Sequence, residues 1–141
     1  VHKCSCLCGS VRFDINTHLK NAINCHCKFC RKSHGSPFVT VLVVLPEYFT
    51  LLSGEENLQR YPEDETKTGR IVCNICGSKL FTETAKGAPL SVYAAALEDE
   101  SEVEVMAHTN VESKSPFVVI SDNLPQFGGS ITKEDYMKMV F

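Results

Sequence analysis

The chain has no tryptophan, no excess of positive charge and no long hydrophobic run. Without tryptophan, no indole can serve as a packing contact or a binding wall. Fourteen Lys and Arg against 17 Asp and Glu leave a formal net charge of −3. That balance argues against the basic footprint of a nucleic-acid or anionic-membrane binder, so neither partner is expected. The longest apolar stretch, Phe38 to Leu45, is interrupted by Thr40, and it falls far short of the roughly 20 residues that span a bilayer. The opening Val1-His2-Lys3-Cys4 leads straight into a cysteine motif with no apolar h-region, so no signal peptide is expected there. No internal repeat, low-complexity segment, Ser-His-Asp arrangement, phosphate loop or paired-carboxylate motif stands out. With 43% apolar and 22% charged residues in 141, what remains is an ordinary globular composition, expected to form one domain over residues 1–141.

Cysteine is what the chain does have. Seven of its 8 cysteines fall into three tight groups. Cys6 and Cys8 form a C-x-C pair, Cys25, Cys27 and Cys30 a C-x-C-x-x-C triplet, and Cys73 and Cys76 a C-x-x-C pair followed by Gly77. The absence of a secretion signal favours a reducing compartment, the cytoplasm, and metal ligation over disulfides. Spacing argues the same way. Residues i and i+2 of an extended segment point to one side, so both sulfurs of a C-x-C pair can reach one ion. A C-x-x-C turn followed by glycine lets the backbone curl around an ion with its sulfurs at about 2.3 Å. Cys4, Cys6 and Cys8 are expected to share one strand face, with Cys4 a buried free cysteine.

Two pairs supply four sulfurs, the complement of a closed, structural tetrahedral zinc site. The triplet supplies three, and a three-ligand zinc site leaves a position for water or substrate. Two zinc ions per chain are therefore expected, one structural at Cys6, Cys8, Cys73 and Cys76 and one at Cys25, Cys27 and Cys30. The first would join residues 65 positions apart. Closing such a loop costs several kcal/mol of chain entropy, against on the order of 10 kcal/mol or more from a structural zinc. Three thiolates around Zn²⁺ carry one net negative charge. Such an ion polarises a carbonyl less than zinc on three neutral histidines and suits an incoming thiol better. The alternative is a second structural site, closed by His26, His34, Cys4 or another side chain.

The rest of the chain reads as β. Ser10 to Asn16 alternates, with Val11, Phe13 and Ile15 on one side and Arg12 and Asp14 on the other. Strands are also expected at Ala22 to Cys25, Phe38 to Leu45 (stopped by Pro46), Tyr48 to Leu52, Leu58 to Tyr61, Arg70 to Cys73, Lys79 to Thr84, Leu90 to Ala96 and Val105 to Thr109. Lys28 to Ser33 is expected to form a helical turn ending near Gly35. Thr132, with Asp135 three residues on, caps a short C-terminal helix. Five of the seven residues from Glu98 to Glu104 are acidic, which marks a loop.

Three runs resemble the motifs of the glutathione-dependent formaldehyde-activating enzyme family. Cys6-Leu7-Cys8-Gly9-Ser10-Val11-Arg12-Phe13 is similar to its C-x-C-G-x-V-x-F opening, Cys25-His26-Cys27-Lys28-Phe29-Cys30-Arg31 to its C-x-C-x-x-C-R, and Cys73-Asn74-Ile75-Cys76-Gly77-Ser78 to its C-x-x-C-G-S. Glu112-Ser113-Lys114-Ser115-Pro116-Phe117 and Asp122-Asn123-Leu124-Pro125-Gln126-Phe127 look like its tail. The resemblance implies an all-β fold of several small coiled antiparallel sheets around zinc, related to methionine sulfoxide reductase B. It implies a structural zinc on Cys6, Cys8, Cys73 and Cys76 and a catalytic zinc on Cys25, Cys27 and Cys30. The implied activity is that of a carbon–sulfur lyase, adding glutathione or a similar small thiol to formaldehyde to give S-(hydroxymethyl)glutathione. Arg31 fits the motif and is the candidate for binding a glutathione carboxylate. Lys114 is a further candidate, Lys28 and Lys32 read as a solvated helical face, and His26 and His108 are candidate proton carriers or structural histidines. Two departures stand out: Cys4 takes the place of a usual glycine, and Phe117 that of a frequent tryptophan. The other functional class is a zinc-scaffolded binding module for a protein partner, as in the centromere protein V branch, whose basic extension this chain does not carry.

Overall fold

The computed structural model describes residues 1–140. Ten strands run in chain order as β1 (His2–Ser5), β2 (Arg12–Ile15), β3 (Ala22–Cys25), β4 (Val39–Val44), β5 (Phe49–Ser53), β6 (Leu58–Tyr61), β7 (Gly69–Cys73), β8 (Lys79–Glu83), β9 (Leu90–Tyr93) and β10 (Val105–Thr109). Two short helices, α1 (Lys28–His34) and α2 (Lys133–Val140), complete the regular structure along with single 3₁₀ turns. The fold is all-β, as the pattern of short alternating runs implies.

The strands form two sheets. One has the order β1-β2-β5, the other β10-β3-β4-β9-β8-β7-β6. The alternation expected from Ser10 to Asn16 places Val11, Phe13 and Ile15 in the core and leaves Arg12 exposed. Phe13 stacks on Phe49 with ring centroids 4.9 Å apart and meets the edge of Phe81 at 5.9 Å, so both sheets contribute aromatics to one core. Leu42, Val44, Leu80 and Val92 fill the rest of it.

Every pairing is antiparallel except one: β10 runs parallel to β3. A parallel neighbour needs a crossover rather than a tight turn. Residues 94–104 provide it, first through a 3₁₀ turn at Ala94–Ala96 and then through the acidic stretch. The small residues read as the end of a strand therefore turn out of the sheet. β9 stops at Tyr93, and Leu97 N–H donates to the Ala94 carbonyl at 3.0 Å. The strand placed beside β3 in this way carries His108 and Thr109 to the end of the sheet where Cys25 lies.

The shared face expected for Cys4, Cys6 and Cys8 stops short of Cys8: Cys4 and Cys6 are both buried in one core cluster, whereas Cys8 is exposed. β1 ends at Ser5, and the chain curls at once, with Gly9 N–H donating to the Cys6 carbonyl at 3.1 Å. Cys4 stays in the core opposite Phe13, its thiol pushed up to about 12 by burial. It is a buried free cysteine, as expected. The α1 helix begins after Cys27 and ends at Gly35, which takes the left-handed conformation (φ 63°) and returns its N–H to the Arg31 carbonyl. Thr132 caps α2, its hydroxyl accepting from Asp135 N–H at 3.1 Å. Among the described residues no helix is long and apolar enough to cross a membrane.

Candidate metal centres

All eight cysteines are free, and seven of them gather into two clusters. The first joins Cys6 and Cys8, from the turn after β1, to Cys73 and Cys76, at the end of β7 and in the turn that follows it. Both turns are closed by a glycine with positive φ, Gly9 at 78° and Gly77 at 76°, conformations that favour a residue without a Cβ. The serine after each glycine then folds back on the cluster. Ser10 Oγ lies 3.1 Å from Cys8 Sγ, and Ser78 Oγ lies 3.2 Å from Cys76 Sγ. Ser78 Oγ also accepts from Leu7 N–H at 2.8 Å, which ties the second turn to the first.

Sulfurs held 2.3 Å from one ion in a tetrahedron lie about 3.8 Å apart. Here Cys6 and Cys8 are 3.6 Å apart, and Cys8 and Cys73 are 3.9 Å apart. These separations, with all four sulfurs within 4.8 Å of one another, suit a tetrahedral thiolate-bound metal.

In the second cluster Cys25 ends β3, Cys27 is the N-cap of α1 and Cys30 lies in its first turn. The Cys27 sulfur accepts from Cys30 N–H at 3.3 Å, so one side chain both starts the helix and faces the cluster. The sulfurs are 3.0 Å apart for Cys27 and Cys30 and 3.5 Å for Cys30 and Cys25. Such crowding splits their proton affinities. Hydrogen bonding from Cys30 pulls the Cys25 thiol down to about 5, while the same contact and burial push Cys30 well above the ordinary thiol range. A dication placed among the sulfurs would relieve that repulsion and hold all three as thiolates.

No fourth His, Cys, Asp or Glu joins the triplet among the described residues. The three side chains that could have closed it are turned elsewhere. Cys4 is in the core, and His34 packs edge-on against Tyr93 at 4.4 Å between ring centroids. His26, fully buried between two cysteines, meets His108 at 2.9 Å through Nε2 and Nδ1. His108 Nε2 lies 2.9 Å from a carboxylate oxygen of Asp122. A carboxylate only accepts, so His108 donates there. His108 Nδ1 and His26 Nε2 share the second contact, and His26 Nδ1 is left buried without a partner among the described residues. Burial, followed by the neighbouring His108, lowers the His26 pKa, which keeps that ring neutral. Both histidines thus pin the tail segment around Asp122 to β10.

The basic candidates separate. Arg31 donates from Nε to the His26 carbonyl at 3.3 Å and from a terminal nitrogen to the Ser113 carbonyl at 2.8 Å, bracing α1 against the tail. Lys114 is spent on the carbonyls of Ser115 and Val118. Lys28 and Lys32 are exposed and occupy the side of α1 away from Cys27 and Cys30, at the helical repeat of 100° per residue. A cleft of about 850 Å³ is lined by Cys6, Leu7 and Ser78 of the four-cysteine cluster's turns and by His34, Phe38 and Tyr93, while no triplet sulfur lines it. Phe38 packs on His26, with ring centroids 5.2 Å apart, so the cleft borders the triplet's surroundings there.

Compared with known families, residues 1–113 match the model of the glutathione-dependent formaldehyde-activating enzyme. The chain belongs to that family. Among solved structures it is similar to the crystal structure of a Rhodobacter sphaeroides protein, at 23% identity and a TM-score of 0.58, over 73% of this chain and 98% of that one. That likeness supports the fold.

In this family member, three groups other than the cysteines themselves reach the sulfurs. Ser10 and Ser78 share a Cys-Gly-Ser context, a signal present in the sequence. Asn110 has no such signal. It follows β10, adopts a left-handed conformation (φ 55°) and donates its side-chain amide to Cys25 Sγ at 3.2 Å, across 85 positions. Gly129 fixes it from outside by accepting Asn110 N–H at 2.8 Å. An N–H···S bond orients a ligand and tunes its basicity. Asn110→Ala is expected to weaken metal binding at the triplet by about 10-fold or more. Chelator competition measures this, with the four-cysteine cluster as internal control. Equal loss at both clusters, or at neither, would contradict a role at Cys25.

Proposed function

We propose that the chain is a zinc-dependent carbon–sulfur lyase that joins glutathione, or a similar small thiol, to formaldehyde or a related small electrophile at Cys25, Cys27 and Cys30. Cys6, Cys8, Cys73 and Cys76 hold a structural zinc in this reading. The observation that carries it is a three-sulfur cluster that no fourth protein ligand completes among the described residues. Bound there, zinc supplies a position at which an incoming thiol is held as its thiolate. The overall change is redox-neutral. A sulfur–carbon bond forms, the carbonyl π bond breaks, and the thiol proton ends on the new hydroxyl oxygen. No hydride donor or oxidant is required, which agrees with the lack of any nucleotide-binding motif in the sequence.

The chain's own residues have distinct tasks in this scheme. Cys27 holds α1 in place while presenting its sulfur, and Asn110 fixes Cys25. Arg31 is proposed to receive a glutathione carboxylate with the guanidinium nitrogen not spent on His26 and Ser113. The 850 Å³ cleft lies within the size range of small-molecule sites and accepts the body of a peptide-sized thiol. The scheme needs reduced cysteines and hence a reducing compartment such as the cytoplasm.

Metal counting with and without glutathione tests the proposal. Two zinc ions per chain are expected, one of which becomes more readily exchangeable when glutathione is added. Exchange spectroscopy should show the protein accelerating the interconversion of glutathione and its hydroxymethyl adduct. Two zinc ions that both ignore glutathione, with no acceleration, would point instead to the zinc-scaffolded binding module.

A further inference from the structure

The outer side of α1 faces a second cleft. Its volume is about 540 Å³, and it is lined by Lys28, Phe29, Lys32, Ser33, Tyr61 and Arg70. Cys27, Cys30, Arg31 and His34 share one side of α1, so Lys28, Phe29, Lys32 and Ser33 take the other. The opposite wall is the sheet-edge hairpin of β6 and β7, where Tyr61 and Arg70 are direct cross-strand partners. This cleft shares no lining residue with the larger one.

Its charge is unusual for a chain with a net charge of −3. Three cations line it and no acid does. None of the three forms an ion pair among the described residues, whereas Arg12, Lys20, Arg60 and Lys138 each do. Arg70 is the most telling. The other three arginines all donate hydrogen bonds, Arg12 to Glu98, Arg31 to two carbonyls, and Arg60 to Glu83 and three carbonyls. The Arg70 guanidinium has no hydrogen-bond acceptor among the described residues and is half-buried. It lies over the Phe29 ring at 5.5 Å, a cation–π contact. Phe29 and Tyr61 remain 74% and 56% exposed, so two aromatic surfaces flank an unused bidentate donor.

A guanidinium fork in a cleft also lined by two lysines matches the chemistry of a carboxylate or phosphate. The flanking rings match a flat, apolar body. We infer that the cleft between α1 and the β6–β7 hairpin binds a small organic oxyanion, a carboxylate or phosphate carried on a flat apolar group. The site stands apart from the cysteine centres and does not rest on the lyase reading.

Calorimetric titration of the zinc-loaded protein, with amide shifts followed by NMR, tests the site using phenyl phosphate, phthalate and inorganic phosphate. Phenyl phosphate or phthalate is expected to bind at least about 10-fold more tightly than inorganic phosphate, shifting the amides of Phe29, Ser33 and Arg70. A tenfold difference corresponds to about 1.4 kcal/mol. The tighter of the two aromatic probes identifies the ligand's acid group. Arg70→Lys keeps the charge but removes the fork, and it should weaken binding about 10-fold with metal content unchanged. Phe29→Ala, on an exposed helical position that tolerates truncation, should abolish the preference for the aromatic probes. Equal binding of all three probes, binding indifferent to both substitutions, or shifts confined to other residues would overturn the site.

Discussion

Cys73→Ser is expected to leave the chain without a cooperative thermal transition and with one metal ion fewer. Cys73 is fully buried at the end of β7, and it serves the turn as well as the cluster. Its N–H donates to the Ser78 carbonyl at 2.9 Å, and its own carbonyl accepts from Gly77 N–H at 2.8 Å. It pairs with Leu58 across the hairpin, and its sulfur lies 3.9 Å from Cys8. Serine would satisfy the backbone but supply no thiolate, reducing the cluster to three sulfurs. A structural zinc contributes on the order of 10 kcal/mol to folding, and a domain's whole stability is about 5–15 kcal/mol. Losing even half the metal's contribution removes from about a third to all of that margin. Circular dichroism on heating, together with a metal count, decides the matter. A variant that melts cooperatively near the parent's midpoint would contradict a structural role for this cluster.

Cys27→Ser is expected to do the reverse, keeping the fold and losing the chemistry. Serine is a strong helix N-cap, so the contact to Cys30 N–H that starts α1 survives the exchange. The metal's second thiolate does not. One zinc ion per chain should remain, the melting transition should stay cooperative, and turnover of glutathione with formaldehyde should fall by more than the roughly 10- to 100-fold that loss of a supporting group costs. Retained turnover with one zinc bound would remove the triplet from the mechanism. The two serine variants form a pair: the same atom is exchanged, and opposite properties should be lost.

What the sequence made legible was local. Ala22–Cys25, Leu58–Tyr61 and Val105–Thr109 form strands with the bounds expected, because turn and loop residues on either side mark their ends. The clusters were legible too, since each C-x-C or C-x-x-C carries its ligand spacing in consecutive residues. Features set by distant partners were not. Nothing in residues 105–109 states that β10 will lie parallel to β3, because direction follows from the crossover at 94–104. Ala94–Ala96 could continue a strand on composition alone, and its 3₁₀ turn follows from where the chain must go next. Cys4 sits two positions before Cys6 and shares its core cluster, yet it stays outside the four-sulfur group, which gathers through the turn after β1. Asn110 reaches Cys25 from 85 positions away, and Arg70 meets Phe29 only because α1 packs beside the edge hairpin.

The two clusters also differ in when they can exist. The triplet's sulfurs span six consecutive residues, Cys25 to Cys30, so all three leave the ribosome almost together. The other cluster cannot close until Cys73 has followed Cys8 by 65 positions. At about 5–20 residues per second that interval is roughly 3–13 s. Throughout it, Cys6 and Cys8 are bare thiols on a nascent chain whose first sheet still lacks β5 for much of the wait. The four-cysteine cluster is thus the later of the two to assemble during synthesis.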